Sequence, residues 1–125
     1  MGLTPAKIWV DDLRDPAAFG RPDHHWCKTI TEAVRILSGW QVEEVSLDHD
    51  ISHAILPGDP GENGNNIYQP VTCPEDYSAV AYFIAEMPAA YRPRLVEVHT
   101  SNETGSGRIH NILRGKVDNL VRRRL

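Results

Sequence analysis

The sequence predicts an α/β fold: about four parallel strands in the order 2-1-3-4, with helices on both sheet faces in a three-layer sandwich. Two observations predict it. Short apolar runs alternate with segments of helical periodicity, which is the pattern of parallel sheets with helical crossovers. Several of these runs are followed at once by titratable residues, as expected where parallel strands end at a functional edge. The 125 residues are enough for one domain, which we assign to 1–125.

Four short apolar runs predict the strands, and they are Lys7–Val10, His25–Lys28, Val42–Leu47 and Leu95–Val98. Crossovers between parallel strands are right-handed, which limits the possible topologies. The order 2-1-3-4 follows, as in flavodoxin-like folds. Strands 1 and 3 are then neighbours at the topological switch point, where ligands bind outside the carboxyl ends of strands.

Three segments with apolar residues at helical spacing predict helices, which run after Thr29 up to Gly39, from Thr72 up to Pro88, and after Gly107 up to Val121. The first two open with capping boxes, in which Thr29 and Thr72 are each followed three residues later by glutamate. A long loop at about 51–71 is rich in Gly, Asn and Pro. Loops of that length are usually functional or disordered.

Composition excludes several classes of protein. With 41% hydrophobic and 24% charged residues, the chain is typical of globular proteins, and its net charge of −4 argues against extended nucleic-acid binding. No apolar run approaches the ~20 residues of a membrane helix, so no membrane partner is expected. Cys27 and Cys73 are isolated and no secretory signal is visible, so we expect a cytoplasmic protein.

Residues 108–125 carry six basic residues against one acidic residue. Basic residues near a helix C-terminus interact favourably with the helix dipole. The alternative interpretation is a segment that faces phosphate or RNA.

Polar side chains follow three of the predicted strands, and they are Asp11, Asp12, Asp48, His49, Asp50, His99, Thr100 and Asn102. Neighbouring parallel strands lie about 5 Å apart, so their ends bring these groups together. A single aspartate after a strand is usually a turn residue. Three successive strand ends with carboxylates and imidazoles favour a shared site.

Two chemistries fit this cluster. In the first, Asp11, Asp12 and Asp48 bind Mg²⁺, which would then hold a phosphate. In the second, which needs no metal, His49 and His99 face each other across a phosphoester as general base and acid, because imidazole titrates near neutral pH. Asp12 and Asp48 would then be carboxylate partners of the histidines.

Two further features suit an anion. Arg14 follows the first pair of aspartates and could bind phosphate oxygens in bidentate fashion. The turn Gly105–Ser106–Gly107 precedes a predicted helix, where free backbone N–H groups can receive the same anion. The sequence therefore predicts a phosphate-binding site at this edge.

Three motifs carry a resemblance to a known family. They are the string VDDLRDP at residues 10–16, SLDHDI at residues 46–51, and HTSN at residues 99–102 with the glycine-bearing turn after it. In this order they resemble the cyclic-phosphate-processing receiver-like family, a shortened relative of response-regulator receiver domains. The resemblance implies a site made of Asp11, Asp12, Arg14, Asp48, His49, Asp50, His99 and Asn102. It also implies a substrate with a cyclic phosphate, on a nucleotide, an ADP-ribose derivative or an RNA end.

Three functions remain open at this stage. The leading hypothesis is a phosphoesterase that opens a cyclic phosphate. The second is a signalling receiver with Asp48 as phospho-acceptor, against which no fifth strand with the usual lysine is predicted. The third is a non-catalytic protein that binds a cyclic nucleotide in the same pocket.

Overall fold

A computed structural model describes residues 6–50 and 76–124. In these ranges five parallel strands form one sheet in the order β2-β1-β3-β4-β5. The strands are β1 (Lys7–Val10), β2 (His25–Cys27), β3 (Glu44–Leu47), β4 (Leu95–Thr100) and β5 (Asn119–Arg124). The predicted order of the first four strands is confirmed, and a fifth strand extends the sheet beyond β4. The predicted loop 51–71 and the capping box at Thr72 lie outside the described residues.

The described helices are α1 (Ile30–Leu37), α2 (Ser78–Glu86) and α3 (Glu103–Leu113), with short 3₁₀ helices at Pro16–Phe19 and Ala89–Tyr91. Thr29 caps α1 as predicted, because its hydroxyl accepts the backbone N–H of Glu32 at 3.0 Å. None of these helices has the length and the apolar run that crossing a membrane would require.

The three α-helices pack on one face of the sheet. Alternate strand residues such as Ile8, Val45 and Val96 point to that face, and Leu37 and Ile109 of the helices join them in one buried cluster. Each buried side chain of this size stabilises the fold by about 1.5–3 kcal/mol relative to leaving it exposed.

The opposite face is polar and has a thinner cover. Trp9, Ser46 and Glu97 lie side by side across β1, β3 and β4. The segment around the first 3₁₀ helix covers them. Phe19 stacks on Trp9 with ring centroids 6.1 Å apart, and Arg21 pairs with Glu97 at 2.7 Å. The third layer of the predicted sandwich is therefore a short irregular segment in the described ranges.

The prediction of a helix continuing to Val121 was wrong. Helix α3 ends at Leu113, and Gly115 then adopts φ = +79°, a left-handed conformation that glycine tolerates best and that typically ends helices. The chain turns there and enters β5, which pairs with β4 over six residues. The sequence analysis predicted no fifth strand, and β5 shows that this expectation was also wrong.

Candidate active site

The carboxyl ends of β1, β3 and β4 bring most of the predicted site residues together. The Arg14 guanidinium links the first two strand ends, with Nη1 3.3 Å from Asp11 Oδ2 and 3.4 Å from Asp48 Oδ2. Beside Asp48, His49 contacts Asp50, which in turn binds Asn102 after β4. These contacts form one continuous polar cluster at the predicted edge.

Asp11 is the fully buried anion of the cluster. One carboxylate oxygen accepts the backbone N–H groups of Leu13 and Arg14 at 2.9 and 3.0 Å, and the other contacts Arg14 and His99. Burial alone would raise the pKa of Asp11, but the bonds from His99 and from the two backbone N–H groups outweigh it and lower the pKa. Asp11 therefore stays ionised.

Asp48 has the opposite shift. Burial, followed by the negative charge of Asp11, raises the pKa of Asp48, although Thr100 and the His49 backbone N–H, which donates to its carboxylate, act to lower it. Its side chain is 4% exposed. Two carboxyls on the same guanidinium thus differ in proton affinity, an arrangement that can separate acid and base roles.

The predicted Mg²⁺ ligands agree with a divalent cation in type and spacing. Asp11, Asp12 and Asp48 each offer a carboxylate oxygen, and these oxygens lie within 4.8 Å of one another. However, Arg14 already contacts two of the three carboxylates through one nitrogen. A cation on all three would lie against this positive charge. Arg14 would therefore share two of the three carboxylates with a cation bound there.

His99 does not take the predicted position across from His49. It is 0% exposed and stacks on Trp9, with ring centroids 3.8 Å apart. Nε2 lies 2.9 Å from Asp11 Oδ2, and Nδ1 lies 2.7 Å from Ser46 Oγ. The predicted pair of histidines facing each other across a phosphate is thus corrected. His99 supports Asp11 from inside the sheet.

Ser46 and Glu97 are site residues that the sequence analysis missed. Ser46 Oγ lies 2.7 Å from both Glu97 Oε1 and His99 Nδ1. Burial would raise the pKa of Glu97, but bonds from Ser46 and Arg21 lower it, so the carboxylate is ionised. Glu97 and His99 are two residues apart on β4, so they share the sheet face on which Ser46 and Trp9 lie. This spacing was the available signal in the sequence.

His49 is the imidazole that lies at the edge itself. Its Nδ1 is 2.8 Å from Asp50 Oδ1, and the Asn102 amide donates to the same oxygen at 3.0 Å. Its Nε2 is buried, has no hydrogen-bond partner among the described residues and lies 3.4 Å from Asp76 Oδ2. With a carboxylate beside each ring nitrogen, the imidazole is placed to take up a proton at Nε2.

Asp76 is another residue that sequence reasoning did not place in the site. Burial would raise its pKa, but the backbone and side chain of Ser78 bind the carboxylate and, with the nearby His49, lower the pKa. An ionised Asp76 beside Nε2 would stabilise a positively charged His49 ring.

The predicted turn Gly105–Ser106–Gly107 lies inside the first turns of α3 and does not form the predicted anion cradle. The N–H groups of Gly105 and Ser106 bond to the Asn102 side chain and backbone, both at 2.8 Å. Instead, Gly105 makes room for His49, since a Cβ at Gly105 would lie 2.4 Å from the ring. The Ser106 hydroxyl accepts a bond from Arg122, and a Cβ at Gly107 would meet only Arg122, at 3.9 Å.

Comparison with known proteins gives one match. The family model described as cyclic-phosphate processing receiver domain matches residues 6–115, which include every strand end of the cluster. No curated protein and no solved structure matches the chain. The matched range covers most of the 125 residues. The chain therefore belongs to the cyclic-phosphate processing receiver domain family.

Proposed function

We propose that the protein is a phosphoesterase that hydrolyses a cyclic phosphate at the edge formed by β1, β3 and β4. The observation that carries the proposal is a series of side-chain hydrogen bonds from Asn102 to Asp50 and from Asp50 to His49. The series ends at His49 Nε2, a ring nitrogen without a hydrogen-bond partner among the described residues. A base held by a second group that is itself oriented is the arrangement that activates nucleophiles in hydrolases. The family description names the same substrate class.

His49 acts as the general base in this proposal. Asp50 accepts a hydrogen bond from the Nδ1–H of His49, so the lone pair is on Nε2. This lone pair takes a proton from the attacking water. The positively charged ring that results then lies between Asp50 and Asp76. Both carboxylates stabilise it.

Asp48 and Arg14 serve the rest of the reaction. Asp48 holds a proton more readily than an ordinary aspartate, which suits a general acid. Arg14 stabilises negative charge on the phosphate as it reaches the transition state. The water oxygen bonds to phosphorus as His49 takes one of its protons, one ring P–O bond breaks, and the leaving oxygen takes the proton of Asp48, which gives a phosphomonoester. His49 then loses its proton to solvent and Asp48 regains one, which restores both groups.

Arg14 supports a metal-free reaction, because it already places positive charge beside two of the three candidate metal ligands. Its contacts with Asp11 and Asp48 supply positive charge between the two carboxylates. The proposed reaction therefore proceeds without Mg²⁺. Added Mg²⁺ would compete with Arg14 and would not accelerate the reaction.

The phospho-acceptor alternative needs an ionised Asp48 oxygen that is free to attack phosphorus, whereas burial raises the pKa of this carboxyl. One oxygen of Asp48 is bound by the His49 N–H at 2.7 Å, and the other contacts Arg14. The arginines of β5 bind Ser106, Phe19 and Glu103. These contacts favour the phosphoesterase over the signalling function.

Phosphorus NMR on a panel of cyclic phosphates tests the proposal. The panel holds 2′,3′-cyclic nucleotides, 3′,5′-cyclic nucleotides and ADP-ribose 1″,2″-cyclic phosphate, each with EDTA and with Mg²⁺. Conversion of one cyclic resonance into a monoester in EDTA is the expected result. Broadening of a ligand resonance with no product would indicate the non-catalytic binder instead, and conversion only with Mg²⁺ would contradict the metal-free mechanism.

A further inference from the structure

A second cationic pocket lies beside the proposed active site, at the ends of β4 and β5. We call it the arginine pocket; its lining residues are Thr100, Glu103, Ser106, Arg122, Arg123 and Arg124, and its volume is about 220 Å³. Strand pairing sets its place, since Thr100 is opposite Arg124 in the parallel register. The function proposed above does not use this pocket.

The charge in the arginine pocket is positive and only partly compensated. The guanidinium groups of Arg122 and Arg124 accompany one carboxylate, that of Glu103, which Arg124 binds at 2.9 Å. Arg122 contacts Ser106 through Nε alone in its described hydrogen bond. Arg123 also lines the pocket, but its guanidinium contacts the polar face of the sheet, with Nη2 donating to Phe19 O at 2.7 Å and Nη1 lying 3.8 Å from Glu97 Oε1. Arginine forks of this kind bind phosphate oxygens in pairs.

The lining favours a phosphate over a nucleobase. All six lining residues are polar or charged, so this part of the described structure offers no aromatic surface on which a base would stack. The basic cluster near the C-terminus, noted in the sequence, thus places the guanidinium groups of Arg122 and Arg124 at one phosphate-sized pocket.

The arginine pocket and the active site share a wall. Thr100 lines the pocket and is also one of the groups that lower the pKa of Asp48. Asp48 follows β3 and Arg124 ends β5, which is two strand positions away. Two strand spacings amount to about 10 Å, a distance on the scale of one nucleotide.

We infer that the arginine pocket binds a second phosphate group of the substrate, the 5′-phosphate of the nucleoside that bears the cyclic phosphate. The inference rests on the proposed function and narrows its substrate class. A free nucleotide carries this group as a monoester, and an RNA end carries it as a diester. Both offer the oxygens that arginine recognises.

Steady-state kinetics test the inference with three substrates: adenosine 2′,3′-cyclic phosphate, its 5′-phosphorylated form, and the dinucleotide ApA ending in a 2′,3′-cyclic phosphate. We expect kcat/KM to be about 10–100-fold higher when a 5′-phosphate is present, as for charge-assisted hydrogen bonds. The variant Arg122→Gln/Arg124→Gln should bring this ratio close to one. The control variant Arg114→Gln removes an exposed arginine that contacts Asn111, away from the pocket, and should keep the ratio.

The substrate that shows the advantage identifies the source of the phosphate. If kcat/KM is raised only for the 5′-phosphorylated mononucleotide, the substrate is a free nucleotide. If kcat/KM is raised only for the dinucleotide, the substrate is an RNA end. Equal kcat/KM for all three substrates in the wild-type protein overturns the inference and leaves the proposed function standing. A ratio that survives in the double variant overturns it as well.

Calorimetry separates failure of the inference from failure of the proposed function. If no cyclic phosphate is turned over, adenosine and AMP are titrated into the wild-type protein and the double variant. AMP binding at least tenfold tighter than adenosine, lost in the double variant but not in Arg114→Gln, would support the pocket without the activity. Equal binding of the two ligands would overturn the pocket too.

Discussion

At Gly105 the structure leaves no room for a side chain. The His49 ring lies against its Cα, where an added Cβ would come within 2.4 Å of the ring. We expect Gly105→Ala to lower the free energy of unfolding by about 1–3 kcal/mol, as overpacking does, and to displace His49. Urea denaturation and turnover of the cyclic phosphate measure the two effects.

Gly107 provides the matched control on the same helix. A Cβ there would meet only Arg122 Nη2, at 3.9 Å. Gly107→Ala should leave turnover unchanged and raise stability by up to about 1 kcal/mol through helix propensity. Equal loss of activity in the two variants would show that Gly105 has no special relation to His49.

His49 itself carries the proposed proton transfer. Replacement by glutamine keeps a similar shape but removes the group that titrates, so kcat should fall roughly 10²–10⁴-fold. Circular dichroism should show an unchanged fold. His25→Gln is the control, since His25 lies on edge strand β2 and pairs with Glu32 at 3.1 Å. An active His49→Gln enzyme would remove His49 from the mechanism.

At the scale of elements, the N-terminus of α3 joins stability to activity through Asn102. Its side-chain oxygen caps Gly105 at 2.8 Å, and its amide donates to Asp50. Asn102→Ser keeps a capping oxygen but removes this amide donor. Stability should therefore stay near wild type, while kcat falls by roughly 10–100-fold because His49 is less well oriented.

Removing the cap entirely gives the comparison. Asn102→Ala should lower the free energy of unfolding by about 1 kcal/mol in addition to the loss of activity. Thr29→Ala removes the cap of α1 in the same way but should leave kcat unchanged, because Thr29 contacts Glu32 outside the site. If Asn102→Ser retained full activity, the link from Asn102 to His49 would be wrong.

The accuracy of the predicted strand ends determined which site residues the sequence could place correctly. Two strand ends were placed well enough to gather Asp11, Asp48 and His49 at one edge. Strand β4, however, runs to Thr100, two residues beyond its predicted end. His99 therefore lies within the strand, where alternation directs it to the face of Trp9, and an apolar run alone did not show this.

Helix α3 and strand β5 show the limit of periodicity. Apolar residues continue at helical spacing from Ile109 through Leu113 to Val117 and Val121, so the pattern favoured one long helix. The signal that ends the helix is Gly115, whose positive φ allows the turn into β5. Two elements joined by a single glycine can share one period by coincidence.

At the scale of the whole molecule, a series of buried, hydrogen-bonded polar groups crosses the sheet from one face to the reactive edge. Glu97, Ser46, His99 and Asp11 follow one another at 2.7, 2.7 and 2.9 Å. Such a network fixes the position of Asp11, and with it that of Arg14. Strand order was predictable from apolar runs, whereas these contacts depend on register, which the sequence does not display.

The two carboxyls on Arg14 should affect the pH dependence of stability with opposite signs. The pKa of Asp11 is lowered, so its contribution is present above about pH 3.9 and is lost as the pH falls through the folded pKa. The pKa of Asp48 is raised, so stability falls as the pH rises from about 3.9 through the folded pKa.

Asparagine variants measured by urea denaturation between pH 3 and pH 7 check these signs. Relative to wild type, Asp11→Asn should be most destabilised at pH 7, and the deficit should shrink below about pH 3.9. For Asp48→Asn, stability relative to wild type should increase as the pH rises. Parallel curves for the two variants would contradict the opposite shifts.

The measurement that tests the central claim most directly is hydrolysis of a 2′,3′-cyclic nucleotide in ¹⁸O-labelled water with EDTA present, read by mass spectrometry. Attack by water that His49 activates predicts a phosphomonoester with one solvent oxygen on phosphorus, formed by the wild type and by His25→Gln but hardly by His49→Gln. A product without solvent oxygen, or equal turnover by His49→Gln, would contradict the account.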